Sequence, residues 1–144
     1  MSNSGAFILD TILNFNDTKN SQVFPHDWAD KIEGNVAEDI ANNENKGDFI
    51  SIISRHEADS KLVKVFEENW NNLMTDEGFI NELQIEPEKY KVRNIATKLP
   101  ANLPTMDYLS NYTHFLRSDH ARFWYNNEFN FQGSFKSILL TDTG

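Results

Sequence analysis

The chain has no cysteine, so disulfides, thiolate metal sites and a cysteine nucleophile are all excluded. Secreted proteins can dispense with disulfides, so this absence leaves the compartment open. Cationic residues are few. Thirteen Lys and Arg stand against 22 Asp and Glu, a formal net charge of -9. No Lys/Arg cluster supplies the electrostatic footprint of a nucleic-acid or anionic-membrane binder. No stretch approaches the roughly 20 apolar residues that cross a bilayer. Met1–Gly5 has neither the basic region nor the apolar segment of a signal peptide. The six glycines are scattered and no GKS or GKT occurs, which removes a phosphate-cradling loop. There is also no G-x-S-x-G nucleophile elbow.

What is present suffices for a core. Over 144 residues the chain is 39% hydrophobic and 12% aromatic, with eleven Phe and three Trp. It reads as one domain, or part of a larger one, and not as a disordered tail. Ala6–Leu13 is a short apolar run interrupted by one acid, a buried strand; Asn14–Ser21 is a polar loop. Trp28, Ile32, Val36 and Ile40 recur every four residues and predict a helix, which Gly34 weakens without abolishing. Asp48–Ser54 is β-branched and predicts a second strand. Leu62, Phe66, Trp70 and Leu73 mark a helix over Lys61–Met74. Tyr90–Leu99 predicts a third strand, closed by Pro100 and Pro104. Ser118 is the expected N-cap of a short aromatic helix, and Ser137–Thr141 is a final apolar strand. Strands alternating with helices predict an α/β layered domain.

Two metal motifs fail. His56-Glu57 opens a zinc-protease helix, but Ser60 stands where the second His belongs. Asn42–Ile53 has the outline of a calcium loop around Gly47, yet Lys46 occupies a ligand position and Ile53 replaces the bidentate Glu.

The informative residues are Phe115-Leu-Arg-Ser-Asp-His-Ala-Arg-Phe-Trp124 and, after them, Ile138-Leu-Leu-Thr-Asp-Thr-Gly144. A Ser-Asp-His triplet opening an aromatic helix, then an apolar strand ending Thr-Asp-Thr, resembles the C-terminal half of the co-catalytic zinc aminopeptidase family. That family also includes glutamate carboxypeptidase-like proteins and glutaminyl cyclases. Ile8-Leu-Asp-Thr11 and Gly47-Asp-Phe-Ile50 look like its earlier landmarks, so the resemblance spans Phe7 to Gly144. It implies a central mixed sheet flanked by helices, here an incomplete domain. It further implies a zinc-dependent parent enzyme that takes N-terminal residues from peptides, secreted or periplasmic.

Carried over by position, Asp10 matches a strand-end acid that binds a metal in two-zinc members, or orients the site in single-zinc members. A carboxylate flanked by Ile8, Leu9, Ile12 and Leu13 would be costly to bury without a cation or donors, and zinc accepts such an oxygen. The alternative is a strand-end Asp satisfied by backbone amides or water. Asp119 matches an acid that hydrogen-bonds beside the metal centre. The triplet's His120 is generally not a ligand there, and His26 and His114 read as surface residues.

The departures are as informative. No His-x-Asp occurs, Glu67-Glu68 follows Asp10 on a helix face instead of preceding it, and the chain stops before the family's final His. Tyr125–Phe135 lacks the usual Gly-Ile-Pro turn. One expected ligand, Asp10, remains, and one carboxylate does not hold a four-coordinate zinc. The expectation is therefore zinc in the parent and none bound by this chain alone. Three readings follow from these residues. The chain is a fragment without hydrolytic activity, a non-enzymatic binding or interaction domain that kept the fold, or a partner of a separate N-terminal half. No nucleic acid or membrane is expected as a partner.

Overall fold

Apolar residues in the last strand run without a polar break from Ile138 to Leu140, and this is because they are buried on both faces of a sheet. The computed structural model describes residues 5–12, 14–125 and 134–142. Its architecture is α/β, as the alternating patterns imply. Four strands, β1 (Gly5–Leu9), β2 (Phe49–Arg55), β3 (Lys91–Thr97) and β4 (Lys136–Thr141), form one mixed sheet in the order β1-β4-β2-β3. β1 lies parallel to β4, with Gly5 opposite Lys136 and Leu9 opposite Leu140. β2 lies parallel to β3 and antiparallel to β4.

Side chains alternate between the two faces, so neighbours in sequence enter different cores. Ile52, Ile138 and Leu140 pack with Leu62 and Val63 of α2 (Ser60–Thr75) on one face. Ile53, Ile95 and Leu139 pack on the other with Ile32, Phe115 and Trp124. That second face is covered by short pieces: a 3-10 helix (His26–Lys31), α1 (Val36–Asn42), a 3-10 turn (Thr113–Leu116) and α5 (His120–Trp124). Among the described residues, no helix is long and apolar enough to cross a membrane.

The single helix expected from Trp28 to Ile40 is two pieces. Ile32 is extended and bridges Thr97 of β3, and Gly34 turns the chain at φ 75°. The same four apolar residues still face the core, but pairing with β3 wins over helical continuity, and glycine tolerates the left-handed turn that this requires. The first strand ends at Leu9 instead of continuing to Leu13, because Thr11 breaks out of the sheet at φ 53°; Leu13 itself lies outside the described residues. Two helices were not legible as patterns: α3 (Glu77–Leu83) and α4 (Met106–Ser110). Each is capped locally, the Asp76 carboxylate accepting from Phe79 N at 2.8 Å and the Thr105 hydroxyl from Tyr108 N at 3.3 Å. The expected cap at Ser118 is not made by its side chain. α5 begins at His120, Asp119 before it makes no side-chain cap, and Ser118 offers only its carbonyl, to Ala121 N at 3.1 Å.

One buried charge pair ties the layers together. The Arg55 guanidinium and the Asp59 carboxylate are both fully buried. Arg55 donates to Asp59 from its backbone N and from Nε, both at 2.9 Å, and from Nη2 at 2.8 Å. Nη2 also reaches the Phe135 carbonyl at 3.0 Å, and Ser137 N donates to Asp59 Oδ1 at 3.2 Å. The guanidinium lies 5.2 Å from the Trp124 ring. The end of β2, the start of α2, the start of β4 and α5 are thereby held in one register.

Candidate functional site

Parallel β1 and β4 end side by side, and each is followed by an aspartate. Asp10 N donates to the Leu140 carbonyl at 3.0 Å, and Asp142 N donates to the Thr11 carbonyl at 2.9 Å. Between the two acids Thr11 is a β-branched residue in the left-handed region, a conformation that costs of order 1–3 kcal/mol and gathers at functional sites. Below these strand ends lies a cavity of about 300 Å³, and Asp10, Ser118, His120, Thr141 and Asp142 all line it. The chain separates these residues widely, and the fold brings them to one place.

Asp10 is exposed. Its carboxylate accepts from the Thr11 hydroxyl at 2.9 Å. β1 is an edge strand and the chain turns away at Thr11, so the desolvation cost that would call for a cation does not arise. Asp142 is the buried acid of the pair: its Oδ2 accepts from Asn14 N, while Oδ1 has no partner. His120 is fully buried and T-stacked on Trp124 at 4.5 Å. Its Nε2 meets the Phe115 carbonyl oxygen at 2.7 Å. A carbonyl only accepts, so Nε2 carries the proton and Nδ1 the lone pair. Burial pushes the ring below its ordinary value; the Phe115 carbonyl and the Asp59 and Asp10 carboxylates act the other way and lose.

That depression has a consequence for stability. The unfolded chain takes up a proton near the ordinary value of 6.5, whereas the folded ring resists it. The contribution of neutral His120 is therefore complete above that pH and is lost as pH falls through it towards the folded value. Melting temperatures between about pH 5 and 8 should decline on the acid side, and His120→Gln should flatten that part of the curve. An identical pH profile in the variant would contradict the assignment.

Asp119 is not brought to the cavity. It is exposed at the start of α5 and lines a different recess with Ile8, Arg122, Phe123 and Phe135. The helix start thus carries His120 inward and Asp119 away. His114, read as a plain surface residue, is exposed but lines the cavity, its ring 6.0 Å from that of Trp28. His26 lies in the 3-10 helix, and its side chain is outside the described residues. Most of the loop after Tyr125 is outside them as well. Two cavity residues, Gln22 and Trp28, gave no functional signal in the sequence, one lying past a polar loop and the other on a helical repeat.

Among the described residues no three His, Asp or Glu side chains gather where they could hold a metal. Zinc needs about four ligands, so the residues present here do not fit a zinc centre. Comparison of the chain with family models, with curated proteins and with solved structures returns no significant match.

Proposed function

We propose that the chain is the C-terminal portion of a zinc-dependent aminopeptidase-like metallopeptidase acting on the N-terminal residues of peptides. In that role it supplies Asp10 and one wall of the site, and it does not hydrolyse peptides alone. The reading is supported by convergence. Of the residues that carry the family resemblance, Asp10, Thr11, Ser118, His120, Thr141 and Asp142 line one cavity, whereas Ile8 and Asp119 line a different recess and Phe49 and Ile50 of the Gly47–Ile50 run line a third. Ligands beyond Asp10 would come from elsewhere in the parent, because the described residues offer no gathered set.

A second reading is favoured by a different observation. The cavity exists within this chain and has unpaired buried polar groups around it, as expected of a binding domain that kept the fold without the metal centre. Purified chain supplied with zinc should show no hydrolysis of amino-acid arylamides above an Asp10→Asn control. Turnover that the substitution removes would refute the inactive assignment. The intact mass of the product isolated from its source separates the two readings: a zinc-containing product well above 16.7 kDa supports the peptidase, and 16.7 kDa supports the binding domain.

A further inference from the structure

β3 is the sheet edge opposite β1, and its outward backbone is closed at both ends and open between them. In a strand with parallel pairing, one residue points its N–H and C=O to the same side and the next points them to the other. The Ala96 carbonyl accepts from Glu33 N and Lys98 N donates to the Lys31 carbonyl, both at 2.8 Å, whereas the Thr97 carbonyl turns inward to His56 N at 2.9 Å. Even-numbered residues of β3 therefore face outward. At the start of the strand the Trp70 indole N–H closes the Tyr90 carbonyl at 3.0 Å. Val92 and Asn94 lie between, and among the described residues nothing bonds their backbone groups on that side.

A groove of about 430 Å³ runs beside this open stretch. One wall is made by the consecutive residues 90–93. The other is a stripe of α2, Glu67, Trp70, Asn71 and Met74, at the spacing of one helix face. An edge strand facing a helix in this way has the shape that takes an extended chain added to the sheet.

The side chains select what is added. Along an added strand they alternate between the two faces. On the α2 face they meet Trp70 and Met74, beside Val92, which packs on the apolar cluster under α2; half-buried Glu67 there disfavours an acid. On the other face they lie beside Lys91 and Arg93. Lys91 is exposed and pairs with Asp48. Arg93 lies over the Phe49 ring at 5.4 Å and has no acid or hydrogen-bond acceptor among the described residues. Its Nε is buried, and its two outer nitrogens are not. Three of the thirteen Lys and Arg fall between positions 89 and 93, in a chain of net charge -9. Opposite charges on neighbouring strands stabilise a pair and like charges destabilise it. The cations that disfavour a second copy of β3 thus favour an acidic strand.

We propose that β3 docks an extended segment of another protein, about five residues long, in which acidic and apolar side chains alternate. Its backbone bonds Val92 and Asn94, its acids face Arg93 and Lys91, and its apolar side chains face Trp70 and Met74. This edge is separate from the cavity at Asp10 and rests on neither functional reading given above.

The test titrates the isotopically labelled chain with the end-blocked peptide Glu-Leu-Glu-Leu-Glu and follows the backbone amides. Saturation is expected at a Kd of order 0.1–1 mM, with the Val92 and Asn94 amides shifting most and exchanging more slowly with solvent. Lys-Leu-Lys-Leu-Lys, and the acidic peptide N-methylated throughout, should each bind about tenfold or more weakly. Arg93→Gln should weaken the acidic peptide about three- to fivefold while the other resonances keep their folded dispersion. The proposal is overturned if the shifts never saturate, if either control peptide binds as tightly, if the Val92 and Asn94 amides do not respond, or if folded Arg93→Gln binds like the parent sequence. Slower exchange of those two amides with rising chain concentration and no peptide would overturn it too, by giving the edge to a second copy.

Discussion

Asp59→Asn should remove a large part of the stability of this chain. The substitution keeps the shape of the side chain and deletes its charge, which leaves the Arg55 guanidinium fully buried with no counter-ion. Breaking one partner of a buried pair costs roughly 3–5 kcal/mol, against a total of about 5–15 kcal/mol for an ordinary domain. The loss is large here because Asp59 also accepts from the backbone of Arg55 on one oxygen and of Ser137 on the other, and the single oxygen of Asn keeps only one of these anchors while its NH2 faces a donor. The double variant Arg55→Met with Asp59→Leu is the informative comparison. It removes both charges, and it should recover a good part of the loss, because a buried pair replaced by apolar side chains is often neutral. Urea denaturation of the three proteins, followed by far-ultraviolet circular dichroism, gives the midpoints. A single variant within about 1 kcal/mol of the parent would show that the pair is not the anchor described.

The sheet was legible in the sequence because burial on both faces leaves short apolar runs, Ile138–Leu140 unbroken and Phe49–Ile53 broken only by Ser51. The strands expected over Asp48–Ser54 and Ser137–Thr141 appear with ends displaced by a residue or so. α2 was equally plain, since one long amphipathic stripe needs no other element to be recognised. The pattern of Trp28, Ile32, Val36 and Ile40 found the right inward-facing residues and the wrong backbone. Period alone cannot show that Ile32 pairs with Thr97, a residue far along the chain. The short α3 and α4 were missed because at seven and five residues they carry caps and no stripe. For the site, family resemblance pointed to Asp10 and the Ser118–His120 segment; Asp10, Ser118 and His120 line one cavity, whereas Asp119 and the Gly47–Ile50 run do not. Gln22 was beyond reach. Its importance lies in an amide oxygen buried without a partner, a property of packing that no local pattern encodes.

β1 should make the isolated chain self-associate. The two edges of the sheet are treated differently. β3 carries Lys91 and Arg93 at one end, and its other end is covered by the chain at Lys31–Glu33, where Glu33 N donates to the Ala96 carbonyl and Lys98 N to the Lys31 carbonyl, both at 2.8 Å. Among the described residues, β1 has neither device. Gly5–Leu9 contains no charge and no proline, and among the described residues its one strand partner is β4. Phe7 and Leu9 are 43% and 61% exposed on the face where α2 does not reach beyond the Phe7–Phe66 contact. An uncharged apolar edge of this kind is a template for pairing with another chain. Sedimentation velocity over rising concentration should therefore show oligomers in the parent sequence. Leu9→Lys, placed on the exposed edge, should weaken association about tenfold or more, equivalent to roughly 1.4 kcal/mol, with the melting temperature little changed. The result also bears on which proposed function holds. A chain that stays monomeric at every concentration and melts cooperatively is the behaviour of a self-sufficient binding domain. Association that Leu9→Lys relieves is the behaviour of a sheet built to be continued by another part of a larger protein.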